Sequence, residues 1–260
     1  VFHSGDGRWL VVVRRDGTEA RDHEVSVFRT EDLARVRRIG GVEPCAALSP
    51  DGKALALMPR SGTRIEFQDP LDGRVLASWE AGMAVGELAF SKDGALLFGR
   101  RYDGREVVAW RVEDGRRRGQ KAMGEGVGVI AVGPDGAWLA SAGAGQTIEL
   151  NRVPTLESGR VLRGHEDGIH ALDFSPDGRW LAYARRDATA TTDVWVVPAV
   201  GGVAVNVTRY PGYNGAPQWT RDGSHLLFVS TRDTPVGPTT PALYGLRLLP
   251  APPDEDERGS

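Results

Sequence analysis

The sequence predicts an all-β fold, a six-bladed β-propeller of four-stranded antiparallel blades. Three observations carry this: a tight turn that recurs along the chain, strand-like runs of three to seven residues between the turns, and a near-constant interval. The turn is fullest at Ser175-Pro176-Asp177-Gly178. There Pro176 presets φ, Asp177 can bond the backbone ahead of it, and Gly178 accepts a positive φ. It recurs as SGDG at Ser4, SPDG at Ser49, SKDG at Ser91, GPDG at Gly133 and TRDG at Thr220. The turn aspartates are Asp6, Asp51, Asp93, Asp135, Asp177 and Asp222, spaced by 45, 42, 42, 42 and 45 residues. A period of about 40 to 45 residues holding four short strands is the period of a propeller blade.

Taken in order, the first unit has only residues 1–3 for an inner strand, then 8–13, 24–28 and 34–39. The second unit reads 45–48, 54–58, 64–67 and 75–79, and the third 85–90, 95–98, 106–112 and a weakly patterned 118–122. The fourth reads 127–132, 138–141, 147–150 and 160–162. The fifth reads 169–174, 180–184, 193–197 and 203–207. All are too short for stable helices, and they alternate apolar with polar residues or are bounded by turn residues. The sixth unit offers three strands, 216–219, 224–229 and 243–248. After Leu249 come Pro250, Pro252 and Pro253, which cannot donate ladder bonds, and then an acidic run. The expected division is a propeller over 1–249 and a Pro-rich acidic tail or linker over 250–260. The ring is expected to be incompletely closed, or the chain to be a portion of a longer protein.

A length of 260 residues suffices for a core without metals or disulfides. One cysteine, Cys45, excludes an internal disulfide. The net charge of −3 gives no bulk attraction to nucleic acid or membrane, and no apolar run reaches the roughly 18 residues of a membrane span. The compartment stays open between cytoplasm and periplasm. No cofactor is expected.

Leu139-Ala140-Ser141-Ala142-Gly143, the dipeptide Gly164-His165 and Val194-Trp195 resemble a WD repeat, with Asn151 in place of one repeat tryptophan and Val196 in place of an aspartate. A second resemblance lies further on. Asp193-Val194-Trp195, Asn206-Val207-Thr208-Arg209, Asn214-Gly215-Ala216-Pro217-Gln218-Trp219 and Ser230-Thr231-Arg232-Asp233 are similar to the TolB-like propeller repeat. That pattern also occurs in the N-terminal propellers of tricorn-type serine peptidases. The resemblance implies a propeller that binds peptides or proteins. In a tricorn-like chain it further implies a peptidase region downstream.

Nothing in the sequence assembles a catalytic set. No GxSxG elbow occurs, and His3, His23, His165, His170 and His225 form no close metal-ligand pair. Cys45, in an apolar run, is expected as a small buried hydrophobe. The turn aspartates serve the hairpins.

One repeated feature is left over by the fold. Arg14 and Arg15, Arg100 and Arg101, and Arg185 and Arg186 each follow the second strand of a unit, with Arg60 and Arg232 in comparable places. In a propeller these second-to-third-strand loops emerge on one face. The arginines are expected to form a broken basic ring there, able to fork onto carboxylates or phosphates or to clamp an acidic partner. The plainer alternative is local pairing with the aspartates of the same turns. Tyr210 and Tyr213 are expected on that face as well, and Trp9, Trp138 and Trp180 share a repeat position expected to pack between blades. Two functions follow: a non-catalytic propeller that binds or gates peptide or protein ligands, or an independent TolB-like interaction scaffold.

Overall fold

The computed structural model describes residues 2–3, 7–15, 23–60, 62–124, 126–164, 168–186, 191–210, 212–232 and 242–247. Among them every regular element is a strand, and every named strand pairing is antiparallel. Blade one holds β1 (Phe2–His3), β2 (Trp9–Arg15), β3 (His23–Arg29) and the first half of β4 (Arg35–Leu48). The second half of β4 opens blade two, completed by β5 (Leu55–Pro59), β6 (Arg64–Gln68) and β7 (Val75–Glu80). Blade three is β8 (Val85–Phe90), β9 (Leu96–Arg101), β10 (Glu106–Arg111) and β11 (Arg117–Ala122). Blade four is β12 (Val127–Val132), β13 (Trp138–Gly143), β14 (Ile148–Arg152) and β15 (Glu157–Leu162). Blade five is β16 (Ile169–Phe174), β17 (Trp180–Arg186), β18 (Thr192–Pro198) and β19 (Val205–Asn206). Blade six is β20 (Asn214–Trp219), β21 (His225–Ser230) and β22 (Ala242–Arg247).

Three strands depart from expectation. The outer strand of unit one and the inner strand of unit two are one continuous strand, so the first two blades form a seven-stranded sheet. β3 pairs along its first half and β5 along its second, with Val42 facing both. Gly41, at φ 69°, lies where the partner changes. The weakly patterned 118–122 is part of a regular strand, held because Arg117, Gly119, Gln120, Lys121 and Ala122 pair with β10, the register shifting past Arg118. Conversely the outer strand of unit five shrinks from 203–207 to Val205–Asn206, after two consecutive glycines at positive φ, Gly201 and Gly202.

The turn behaves as its residues require. Ser175 Oγ donates to Asp177 Oδ1 (2.5 Å) and accepts from Trp180 N (2.9 Å), while Asp177 Oδ1 accepts from Arg179 N (3.0 Å). The arrangement repeats at Ser49 and Asp51, Ser91 and Asp93, and Thr220 and Asp222. These hydroxyl donors hold Asp51, Asp93 and Asp222 below the usual carboxylate range. Gly178 sits at φ 72°. Gly178→Val is therefore expected to cost about 1–2 kcal/mol, because a β-branched residue is strained there. An unchanged urea midpoint would contradict this.

The first strands of successive blades pack on one another, β4 on β8, β8 on β12, β12 on β16 and β16 on β20, which makes them the inner strands. Apolar side chains of neighbouring sheets fill the seams, such as Met58, Ile65 and Phe67 of blade two against Leu97, Val108 and Trp110 of blade three. In blades three, four and five the residue directly after the third strand also closes the seam with the blade before. Val112 accepts a hydrogen bond at its carbonyl from Trp79 Nε1 (3.3 Å), and Ala199 accepts one from Arg160 Nη1 (3.4 Å). Val153 packs on Phe98 and Val107. In blade six this position is Leu248, which lies outside the described residues.

The ring meets its own beginning at the turns. A Cβ built on Gly94 would lie 3.5 Å from Pro50, one on Gly178 3.4 Å from Pro134, and one on Gly223 3.7 Å from Pro176. Three turn glycines, Gly94, Gly178 and Gly223, thus rest on the turn proline of the preceding blade, whereas the space at Gly136 is open. Gly7 of blade one stands in the same relation to Arg221 of blade six, at 3.9 Å. Among the described residues no strand is shared across that join: β1 pairs only with β2, and β22 only with β21. The architecture is a propeller open at one seam. The tail 250–260 and the turn residue Asp6 lie outside the described residues.

Candidate functional site on the arginine face

Every arginine singled out in the sequence stands at the end of a second strand, where that strand runs beside the start of the inner strand. Arg101 pairs with Val85, Arg185 with Ile169, and Ser230, two residues before Arg232, with Asn214. Arg14 and Arg15 end β2 opposite Glu24 and His23, and their side chains lie outside the described residues. Arg60 follows β5 and is exposed. One face of the ring therefore carries them all.

Their side chains are in different states. Arg100 turns inward and donates to Glu87 Oε2 (3.3 Å), an ion pair on the inner strand of its own blade. Arg101 is half-exposed, 2.9 Å from Asp103 and 3.8 Å from Glu106, the local pairing expected of such turns. Arg232 donates to Ser230 Oγ and Asn214 Oδ1 (both 2.9 Å) and lies over the rings of Tyr210, Phe228 and Tyr244. Arg186 is exposed. Arg185 is buried, its guanidinium 4.0 Å over Trp195.

Aromatic and polar groups share this face. Tyr102, directly after Arg101, is 56% exposed, and Tyr213, at the start of the inner strand of blade six, is 46% exposed. Blades three and six stand three apart in the ring. His170 is exposed on the inner strand between them. Tyr210 belongs to the packing around Arg232, so of the two tyrosines flanking Pro211-Gly212 only Tyr213 is free to meet a ligand.

The residues that carried the TolB-like resemblance assemble into one network between blades five and six. Asp193 accepts from Thr208 Oγ1 (2.6 Å), Asn206 Nδ2 (2.9 Å) and Asn214 Nδ2 (3.1 Å). Asn214 Oδ1 in turn accepts from Ser230 Oγ (2.7 Å). This satisfied network joins the blades. In blade four Asn151 stands at the repeat tryptophan position and donates to Ser141 Oγ (3.0 Å). Lys121 of blade three reaches across to Asn151 Oδ1 (2.6 Å) and Glu149 Oε2 (2.5 Å). Register moves the expected match in blade five. Asn151 pairs with Leu139, and the equivalent Leu181 pairs with Val197, so Trp195 lies two residues short of the repeat tryptophan position. His165 lies outside the described residues.

Residues 156–190 match the WD domain, G-beta repeat. The match runs from the outer strand of blade four through the first two strands of blade five, one repeat unit, and stops before Trp195. No curated protein matches the chain.

Two carboxylates that sequence inspection passed over lie on inner strands. Glu87 Oε2 accepts from Ile130 N (3.1 Å), and Asp173 Oδ2 from Trp219 N (2.8 Å), each a backbone amide of the next blade's inner strand. Burial pushes both carboxyls up to about 7, against the opposing pull of Arg100 on Glu87 and of the amide on Asp173. Single acids in different blades give no periodic signal, which is why pattern inspection misses them. Burial likewise pushes the Cys45 thiol up to about 12. Among the described residues no group of three His, Cys, Asp or Glu side chains could hold a metal ion, and no helix is long and apolar enough to cross a membrane.

On the opposite side of the ring a cleft of about 1130 Å³ opens between blades five and six, walled by Trp180, Val196, Pro198, Val205 and Trp219. Trp138 of blade four lies beneath Gly159 of its outer strand, between Arg152 and Arg160. Trp180 has only the two-residue β19 beside it and stays 39% exposed, whereas Trp138 is partly buried against the core shared by blades four and five.

Proposed function

We propose that the protein is a non-catalytic β-propeller scaffold that binds an acidic peptide or protein segment across its arginine face. The propeller fold and the WD-repeat match support an interaction role. The observation that carries the choice of face is the grouping of exposed Tyr102 and Tyr213 with the partly free Arg101 and Arg186 at the same ends of the strands. Exposed aromatic rings beside guanidinium forks supply contact area and anion recognition together. Arg14 and Arg15 belong to this proposal by position, Arg100 and Arg232 as supports whose own partners fix them. The narrower reading, a propeller that admits peptides to a tricorn-like peptidase region, takes its support from the resemblance of the last two units alone.

The test is a titration of the full chain with a short labelled glutamate-rich peptide at fixed ionic strength. Arg101→Gln with Arg186→Gln is expected to weaken binding about five- to tenfold, as loss of two surface charges should. Folding should change little, since Arg186 is exposed and Arg101 gives up only surface ion pairs. Equal affinity of variant and parent would remove this face from the proposal.

A further inference from the structure

Arg185 is the one cation among the buried residues of the described structure. The other inward-turned cations have oxygen acceptors. Arg100 has Glu87, Lys121 has Glu149, and Arg37 has the Gln68 side chain and the Asp69 carbonyl. Arg185 has none among the described residues, and its Nε is sealed from solvent without an acceptor. Its cross-strand neighbour Asp193 is already taken by Thr208, Asn206 and Asn214. What it does have is the indole of Trp195 against one face of its plane.

A buried guanidinium without a hydrogen-bonded counter-charge is costly, and stacking on an indole offsets only part of that cost. Stacking also fixes the plane and leaves the donors at the edge of the fork for an acceptor. An anion that completes the fork would offset the rest of that cost. Arg186 and His170 are exposed beside it, on the rim of the same face.

We infer that Arg185 on Trp195 is a socket for a single carboxylate of the bound partner, an aspartate or glutamate side chain taken by the guanidinium fork. This rests on the acidic-ligand reading above and names its anchor. A carboxylate fits better than a phosphate dianion. One guanidinium neutralises one negative charge, and a second charge would remain unpaired in a half-sealed site.

The experiment uses the full chain and compares Arg185→Met with the parent, titrating the glutamate-rich peptide, sodium acetate and inorganic phosphate at equal ionic strength. Methionine keeps apolar contact with Trp195 and removes the charge. The expected result is at least a roughly twentyfold loss of peptide affinity, with a melting temperature equal to or above the parent's. Acetate should raise the parent's melting temperature and leave that of Arg185→Met unchanged. If the methionine variant fails to fold, Arg185→Lys, which keeps the charge and loses the fork, should still weaken the peptide. Undiminished binding by whichever variant folds overturns the socket. So does stabilisation by phosphate with none by acetate. A socket failure with the Arg101 and Arg186 pair still important leaves the face as proposed. Loss through Arg185 alone, with that pair indifferent, keeps the socket and overturns the wider face.

Discussion

Gly143→Val is expected to destabilise the protein by on the order of 3 kcal/mol or more, the largest effect of any single substitution argued from this fold. Gly143 ends β13 opposite Val127, where the register of β12 slips by one residue. A Cβ there would run into the Gly126 carbonyl oxygen and stand 2.6 Å from Gly128 N and 2.9 Å from Val127 Cα. All three obstacles are backbone, so no rotamer change relieves them. The inner strand would have to move, and it is packed on β16 of the next blade. Ala144→Val, one residue on and exposed, is the control and should be near neutral. Urea denaturation of both variants decides the matter, and a Gly143→Val midpoint equal to the control's would show that the glycine is dispensable.

The second large effect depends on pH. Asp173 titrates near 7 in the folded protein, against an ordinary value near 4 in the unfolded chain. Between those values the folded state holds the extra proton, so stability falls as pH rises from about 4 to about 7. Below that window both states are protonated and the group is silent, whereas above it the full penalty of a buried carboxylate remains. Asp173→Asn should remove the penalty. Its amide oxygen can still accept from Trp219 N, and it resembles the protonated acid in shape and donor pattern. We expect a gain on the order of 2–4 kcal/mol at pH 8 and almost none at pH 4. Parallel stability curves for the two proteins across that range would refute the assignment. Glu87→Gln should gain less, because the charge it removes is the partner of Arg100.

What the sequence made legible was whatever the repeat enforces. The Ser175, Asp177 and Gly178 turn has one workable conformation, and its copies fix the spacing, the second strands and the face on which the arginines stand. The same regularity hides the state of each side chain. Arg101 and Arg185 occupy matching positions, yet one is tied to Asp103 in solvent and the other is buried on Trp195. The difference lies in what faces them across the strands, contacts set by tertiary packing. The outer strand of blade five was legible in place but not in length, since residues 203–207 pair only at Val205 and Asn206. Trp195 showed a further limit, because a motif read in linear register slid by two residues once the strand pairing was known.

The join between blades six and one has a mechanical consequence. Every other blade is tied to the next by continuous chain as well as by packing. Between blades six and one the described structure shows no shared strand, only the Arg221 guanidinium near Gly7. The molecule is in this sense a split washer. Strain that spreads the ring, whether from heat or from a body wedged between blades, should concentrate at the slit before it disturbs the riveted seams. Amides along the free edges of β1 and β22 would then be the first to exchange with solvent. A clip spanning the slit would stiffen all six blades at once, because each can splay only as far as the gap allows.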